Sequence, residues 1–338
     1  MNPDTIDGPK RILVTGVGGQ PAFDLARELV KAGHEVIAVD ADPLAPGLLI
    51  PGVIAQVTAP CHEPDYRASL TAVCEQLRPD AIFSGVEQEL PALLELQPAL
   101  DGLGVRTWLP PGEAVAACVD KARFTRVLTE HGLPTPRTWL PHRVNELWRE
   151  RDLVVKPRRG QGAKHVHYAA SAAQARVLCE LVPEPIIQER LTGREFTADC
   201  LTGRDGRSSV VLRYRLLVKG GLAIVSETFH DPAVAEAVHA TLSALGMQGP
   251  CCVQGFVCEN GEIQITEANA RFAGAFLTSV AAGADLVGQA LRGMFGLEIE
   301  HEELTYQPGI RLTKFVDTLA TTGPHTAPNP VLTTPEGE

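Results

Sequence analysis

The stretch Gln254 to Arg271 (QGFVCENGEIQITEANAR) constrains this chain more than any other, because it reads as a hairpin with its register already set. Asn260-Gly261 is a two-residue turn signal of the type I′ kind. With Glu259 paired to Glu262 across it, counting back along both strands places Gln254 opposite Glu267. Side chains alternate faces along a strand, so Glu267, Asn269 and Arg271 leave one side, with Gln254 beside them. Phe256, Cys258, Ile263 and Ile265 then fill the same face toward the turn. Two amide oxygens and a carboxylate are hard ligands of the kind magnesium takes, its other positions going to water and phosphates. A half-buried hairpin with polar residues at its open end fits the same pattern.

Two further stretches bear on that choice. Lys156-Pro157-Arg158-Arg159-Gly160-Gln161-Gly162 follows the apolar run Leu153-Val154-Val155, which reads as a short strand. Backbone N–H groups in such a glycine loop form an anion nest, and Lys156 adds a point charge for phosphates. It is not a Walker loop, which needs Gly-x-x-x-x-Gly-Lys-Ser/Thr; an ordinary basic turn is the other reading. Ile186-Ile187-Gln188-Glu189-Arg190-Leu191, then Gly193-Arg194-Glu195-Phe196, is an apolar strand that ends in acid, turns at glycine and presents another acid.

In this order and spacing the three stretches resemble the ATP-grasp superfamily, over about residues 110 to 300. The likeness is to the ATP-grasp modules of carbamoyl-phosphate synthetase and of small carboxylate–amine ligases. Glu267-x-Asn269-x-Arg271 is similar to that family's Glu-x-Asn-x-Arg signature, and Gln254 to its upstream metal ligand. The resemblance implies nucleotide contacts from Lys121, Lys156, Gly160, Gln161, Gly162, Glu189, Leu191, Glu195 and His230. It implies magnesium or manganese on Gln254, Glu267 and Asn269, and catalytic roles for Lys156 and Arg271. The family loop is often richer in Gly and Ser than Arg158 to Lys164.

Composition excludes several classes. Lys plus Arg total 30 against 41 Asp plus Glu, a net charge of −11, and no basic stripe carries interleaved aromatics, which argues against nucleic acid as a partner. None of the eight cysteines form Cys-x-x-Cys, so reduced thiols in a cytoplasmic protein are expected rather than zinc. No apolar run approaches the roughly 20 residues that span a bilayer.

Along the chain, Ile12 to Thr15, Glu35 to Val39 and Ala81 to Ser84 read as strands, with helices at Pro21 to Lys31 and Asp65 to Leu77. Such alternation predicts an α/β fold that opens on a parallel sheet. Gly16-x-Gly18 with Asp40 at the end of the next strand approaches a dinucleotide fingerprint, but Pro21 stands where its third glycine belongs. An NAD-dependent oxidoreductase is therefore a rival from another class. The resemblance instead implies a Rossmann-like lobe over residues 1–109, a first nucleotide lobe over 110–184 and a second, metal-bearing lobe over 185–319. One long helix is expected from Glu113 to Glu130, and another from Asp231 to Leu245, with Asp231-Pro232 at its start and Gly246 at its end. Thr197 to Leu201 and Val210 to Val218 read as antiparallel strands, and residues 320–338 as a disordered tail.

The chemistry that the resemblance implies is attack of a carboxylate on the γ-phosphate of ATP, giving an acylphosphate and ADP, then displacement of phosphate by an amine. Small amino-acid-like acids and amines are the expected substrates; a bicarbonate or carbamoyl-type reaction is the nearer rival. Arg271 suits the transferring phosphoryl group or the oxyanion, or else it orients Glu267. Arg213 and Arg215 share a strand face and offer an acidic substrate two charges, or form a solvated basic face; Arg311 is a further carboxylate-binding candidate. A homodimer is compatible with the sequence, which does not set the oligomeric state.

Overall fold

The computed structural model describes residues 6–147, 149–160 and 162–319; Gln161 and the segment from Ala320 onward lie outside them. The described residues divide into two compact units, one of residues 6–109, 287–299 and 315–319, the other of 110–286 and 300–314.

In the first unit, strands β1 (Arg11–Thr15), β2 (Glu35–Asp40), β3 (Val53–Val57) and β4 (Ala81–Ser84) form a parallel sheet in the order β3-β2-β1-β4. Ile12, Leu13 and Val14 are fully buried in succession, as expected of a strand covered on both faces. Helix α1 (Gln20–Lys31) turns Ala22, Leu25, Ala26 and Leu29 inward, with Pro21 in its first turn. Helices α2 (Tyr66–Leu77) and α3 (Leu90–Gly102) follow, and α3 persists through an internal Pro98.

The second unit begins with two helices where one was expected. α4 (Gly112–Cys118) stops, and α5 (Lys121–Glu130) starts after Asp120, whose backbone is extended at φ −129° and ψ 100°. The Asp120 carboxylate accepts hydrogen bonds from the Ala122 and Arg123 amides, satisfying donors that a new helix start leaves open. Apolar periodicity runs unbroken across this junction; the cap overrides it.

Strands β5 (Thr138–Trp139), β6 (Leu153–Pro157), β7 (His167–Ala169) and β8 (Pro185–Glu189) make a small antiparallel sheet in the order β5-β8-β6-β7. Helix α6 (Ala172–Leu181) packs Ala175 against Leu153, Val155 and Ile187. The larger sheet is formed by β9 (Gly193–Thr202), β10 (Ser208–Lys219), β11 (Leu222–Thr228), β12 (Gly249–Cys258), β13 (Ile263–Asn269) and β14 (Arg311–Thr313). Its order is β13-β12-β9-β10-β11-β14, every pairing antiparallel. Helix α7 (Pro232–Leu245) runs from its Asp231 cap to Gly246 in the left-handed conformation, and α8 (Leu277–Ala281) follows β13.

The β12–β13 hairpin does pair Gln254 with Glu267, but by a different route from the one expected. The turn is a three-residue loop. The Gly261 amide bonds to Cys258 O and the Cys258 amide to Glu262 O, with Gly261 alone at positive φ (+84°) while Asn260 stays at negative φ. Near the turn Val257 therefore faces Ile263 and Gly255 faces Ile265, one residue out of the expected register. A bulge between Gln254 and Gly255 restores it, leaving Thr266 as the extra residue, its hydroxyl donating to Gln254 O at 3.1 Å. The correction has a consequence for faces. Ile263 and Ile265 lie on the side opposite Glu267, not beside it, because the bulge reverses the alternation.

Candidate functional site

Strand register assembles one polar face on the larger sheet. Glu267, Gln254, Thr197 and Arg213 stand in one row across β13, β12, β9 and β10. Asn269, Cys252 and Asp199 stand in the next row. Toward this face two lysines converge. Lys121, in the first turn of α5, brings Nζ to 3.8 Å from Glu267 Oε2 and donates to Gly160 O at 2.8 Å. Lys156, near the end of β6, feels the charges of Glu267, Lys121 and Glu195.

The electrostatics follow from burial and like-charge crowding. Burial alone would push the Glu267 carboxyl up, but Lys121, Lys156, the Asn269 amide and Arg271 outweigh it and hold it below the ordinary carboxylate range. Burial pushes Lys156 down to about 8, with the Lys121 charge adding to it against the pull of Glu267 and Glu195. Glu195 is raised, mainly by burial, although Arg215 opposes the shift. Arg215 is a hub: its guanidinium donates to Glu195 Oε1 at 2.5 Å, Gln254 Oε1 at 2.9 Å and Gly221 O at 2.6 Å.

The glycine loop lies against this hub. A Cβ on Gly221 would sit 2.7 Å from the Gly162 carbonyl carbon, so the β10–β11 turn and the loop approach each other through glycine backbone alone. Gly162 and Gly221 both take left-handed φ, +67° and +76°. Arg158 and Arg159, the other cations of this stretch, pair within the protein. Arg158 Nε donates to Asp120 Oδ1 at 2.7 Å, and Arg159 NH1 donates to Glu184 Oε2 at 3.1 Å.

A divalent cation fits the oxygen donors present. Gln254 Oε1, Asn269 Oδ1 and the ionised Glu267 are hard ligands, and each already faces a cationic group: Arg215, Arg271 and Lys121 respectively. Among the described residues no three His, Cys, Asp or Glu side chains cluster to hold a metal unaided. One carboxylate and two amides suit a metal that keeps water and phosphate ligands better than one that needs a closed protein cage.

Arg213, Arg215 and Arg311 are engaged within the protein, and the remaining expected residues have partners or burial of their own. Arg213 is buried and forks onto Asp199, Nε to Oδ2 at 2.8 Å and NH2 to Oδ1 at 3.1 Å. Ser279 of α8 donates to the same carboxylate at 2.5 Å. That pairing rules out the open acidic-substrate contact expected of Arg213, and Arg215 likewise spends its donors within the site instead of forming a solvated face. Arg311 pairs on the surface with Glu227, Nε to Oε2 at 2.8 Å. His230 is exposed, its ring edge-on to Tyr306 at 4.5 Å. The Glu189 carboxylate accepts from the Arg137 amide and guanidinium at 2.9 and 2.8 Å, and Leu191 is half-buried just after β8.

Two features of the first unit bear on its chemistry, and of these only Glu89 was not singled out from the sequence. The Gly18 amide donates to Asp40 Oδ2 at 2.6 Å, so the loop donor that a dinucleotide pyrophosphate would use is taken by Asp40. Glu89 is buried at the carboxyl ends of β1 and β4, bonded to the hydroxyls of Thr15 and Ser84, and burial pushes it up to about 7.

Two stretches of the chain match known families. Residues 182–318 match the family "ATP-grasp in the biosynthetic pathway with Ter operon", and residues 12–107 match the "PylC-like, N-terminal domain". The carbamoyl phosphate synthase large chain of Haemophilus ducreyi is 29% identical over 196 residues, 51% of this chain but only 18% of that protein. The L-amino acid ligase of Bacillus licheniformis superposes with a TM-score of 0.72 at 20% identity, covering 90% of this chain and 78% of that one. A biotin carboxylase from Campylobacter jejuni, solved as a β-γ-ATP complex, gives 0.71 at 16% identity over 88% and 73%. The chain has the fold of these ATP-grasp proteins, and the family match falls on residues 182–318.

Proposed function

We propose that this ATP-grasp protein is an ADP-forming carboxylate–amine ligase acting on small amino-acid-like substrates through an acylphosphate. The observation that carries the reading is the convergence of Lys121 and Lys156 on an ionised Glu267 flanked by Asn269 and Gln254. Two lysines crowded into a half-buried site suit the neutralisation of a polyanion.

Gln254, Glu267 and Asn269 would hold magnesium or manganese, which would supply charge neutralisation to the nucleotide phosphates. Lys121 and Lys156 bind and orient the triphosphate, and the glycine loop at Gly160 and Gly162 excludes water over it. Phosphoryl transfer needs alignment more than covalent help, and this chain offers alignment. Arg271 donates to Asn269 Oδ1 at 3.2 Å, where its charge can stabilise the oxyanion that forms as the amine attacks the acylphosphate carbonyl. Phosphate then leaves and the amide remains.

A panel of amino-acid pairs, screened for ADP and phosphate release, tests the reading. ADP should appear only with a suitable acid, and hydroxylamine should capture its acylphosphate when the amine is withheld. ADP release that no acid stimulates and hydroxylamine never intercepts would argue against it. Bicarbonate as the acid is a second reading, favoured by the half-chain match to a carbamoyl phosphate synthase; bicarbonate-dependent ADP release without added amino acid would select it.

A further inference from the structure

Lys121 and Lys156 repel one another, yet the fold holds both beside one carboxylate. Something must set their spacing before any nucleotide arrives. We infer that Asp120 is the residue that does so, as a strap between the α5 start and the phosphate loop; the inference rests on the ligase reading above and adds a positioning residue to it.

The side chain is buried and engages more donors than a helix cap requires. Its Oδ1 accepts from the Ala122 and Arg123 amides at 3.1 Å each and from Arg158 Nε at 2.7 Å, while Oδ2 lies 3.5 Å from Arg159 NH2. The Lys121 amide donates to Arg158 O at 3.0 Å, a second tie between the same segments. Asp120 precedes Lys121 by one residue, and Arg158 follows Lys156 by two, so both lysines branch from segments that this carboxylate joins. Arg158 and Arg159 thereby spend their charges on Asp120 and Glu184. Asp120 itself touches no substrate. It acts through the two lysines.

Asp120→Ser is the test, because serine still caps a helix but is too short to receive the two guanidinium groups. The melting temperature of the free protein should stay near wild type, while the Kd for Mg-ATP rises about tenfold and kcat at saturating ATP changes far less. Asp120→Asn, which keeps the length and an acceptor oxygen, should recover part of that affinity. Arg158→Gln should weaken Mg-ATP binding to a similar degree, and the Asp120→Ser/Arg158→Gln double variant should be no weaker than either single one. Unchanged Kd in folded single variants, or additive losses in the double variant, overturns the strap and leaves the ligase reading intact. Failure of the wild-type protein to bind Mg-ATP at all removes both.

Discussion

The larger sheet carries two charge clusters on one face, and they are built in opposite ways. Asp199, Arg213 and Ser279 form a closed set: one carboxylate, one forked guanidinium and one hydroxyl, all buried, at 2.5 to 3.1 Å. Beside it, Glu195, Arg215 and Glu267, with Lys121 and Lys156 brought in from α5 and β6, are crowded, unequally matched and partly open, with the Lys121–Glu267 pair at 3.8 Å. A satisfied pair stabilises a native arrangement and has nothing left to offer a ligand. A cluster with like charges facing each other stores an electrostatic cost that a bound anion and cation can relieve. Proximity on one sheet face therefore does not make a functional residue; the state of its donors does.

The largest effect expected from that contrast is on folding. Asp199→Ala strands the buried Arg213 charge and should cost about 3–5 kcal/mol, read as a fall in the urea midpoint. Glu267→Gln should cost less, since the contacts it weakens, Lys121 at 3.8 Å and the Asn269 amide at 3.4 Å, are long ones in a partly open site. If the two variants destabilise equally, the division between scaffold and site fails.

Lys156→Met comes next. It keeps the aliphatic stem, so the fold should hold, while Mg-ATP affinity falls by about 1.5–3 kcal/mol, roughly ten- to a hundredfold, with the loss of a charge-assisted contact. An unchanged Kd, measured by calorimetry, would remove Lys156 from the site.

A pH effect of smaller size follows from the same residue. Lys156 titrates at about 8 in the folded chain against 10.5 for a free lysine. The unfolded chain thus holds more protons between those values. The burial penalty is fully present below about 8 and is relieved as pH rises, so this group makes stability rise with pH across that window. Nucleotide binding has the opposite trend, because phosphates need the ammonium form. Mg-ATP affinity should weaken above about pH 8, and binding at pH 8.5 should take up protons, detected by titration in buffers of different ionisation enthalpy. Lys156→Met should abolish that uptake. The smallest effects are expected at Arg311 and His230, exposed and outside both clusters; alanine at either should stay within about 0.5 kcal/mol in stability and leave Mg-ATP affinity unchanged.

How far the sequence disclosed this arrangement depended on the range of the interaction. Alternation and turn chemistry are local, so the opposition of Gln254 and Glu267, the α7 limits at Asp231 and Gly246, and the parallel opening strands were legible. The register that achieves the Gln254 pairing was not. Asn-Gly fits both a two-residue and a three-residue loop, and no local signal marks Thr266 as the bulge that compensates. The break at Asp120 was missed because the apolar pattern of α4 continues into α5 and outweighed the Asp120 cap, whose further tie to Arg158, 38 residues on, no local pattern shows. Arg213 and Arg215 look equivalent two positions apart in a strand. Only the partners supplied by β9 and β12, Asp199 for one and Glu195 with Gln254 for the other, assign the first to the scaffold and the second to the site.

The central claim is that the Glu267 cluster takes a magnesium nucleotide. The most direct measurement is calorimetric titration of ATP at graded magnesium into the wild-type protein, Glu267→Gln and Arg271→Ala. Wild type should bind only with magnesium present, Glu267→Gln should need markedly more of it, and Arg271→Ala should bind normally while losing kcat, because its partner charge develops during transfer. Magnesium-independent binding of equal strength in all three, or binding of NADH in place of ATP, would contradict the claim.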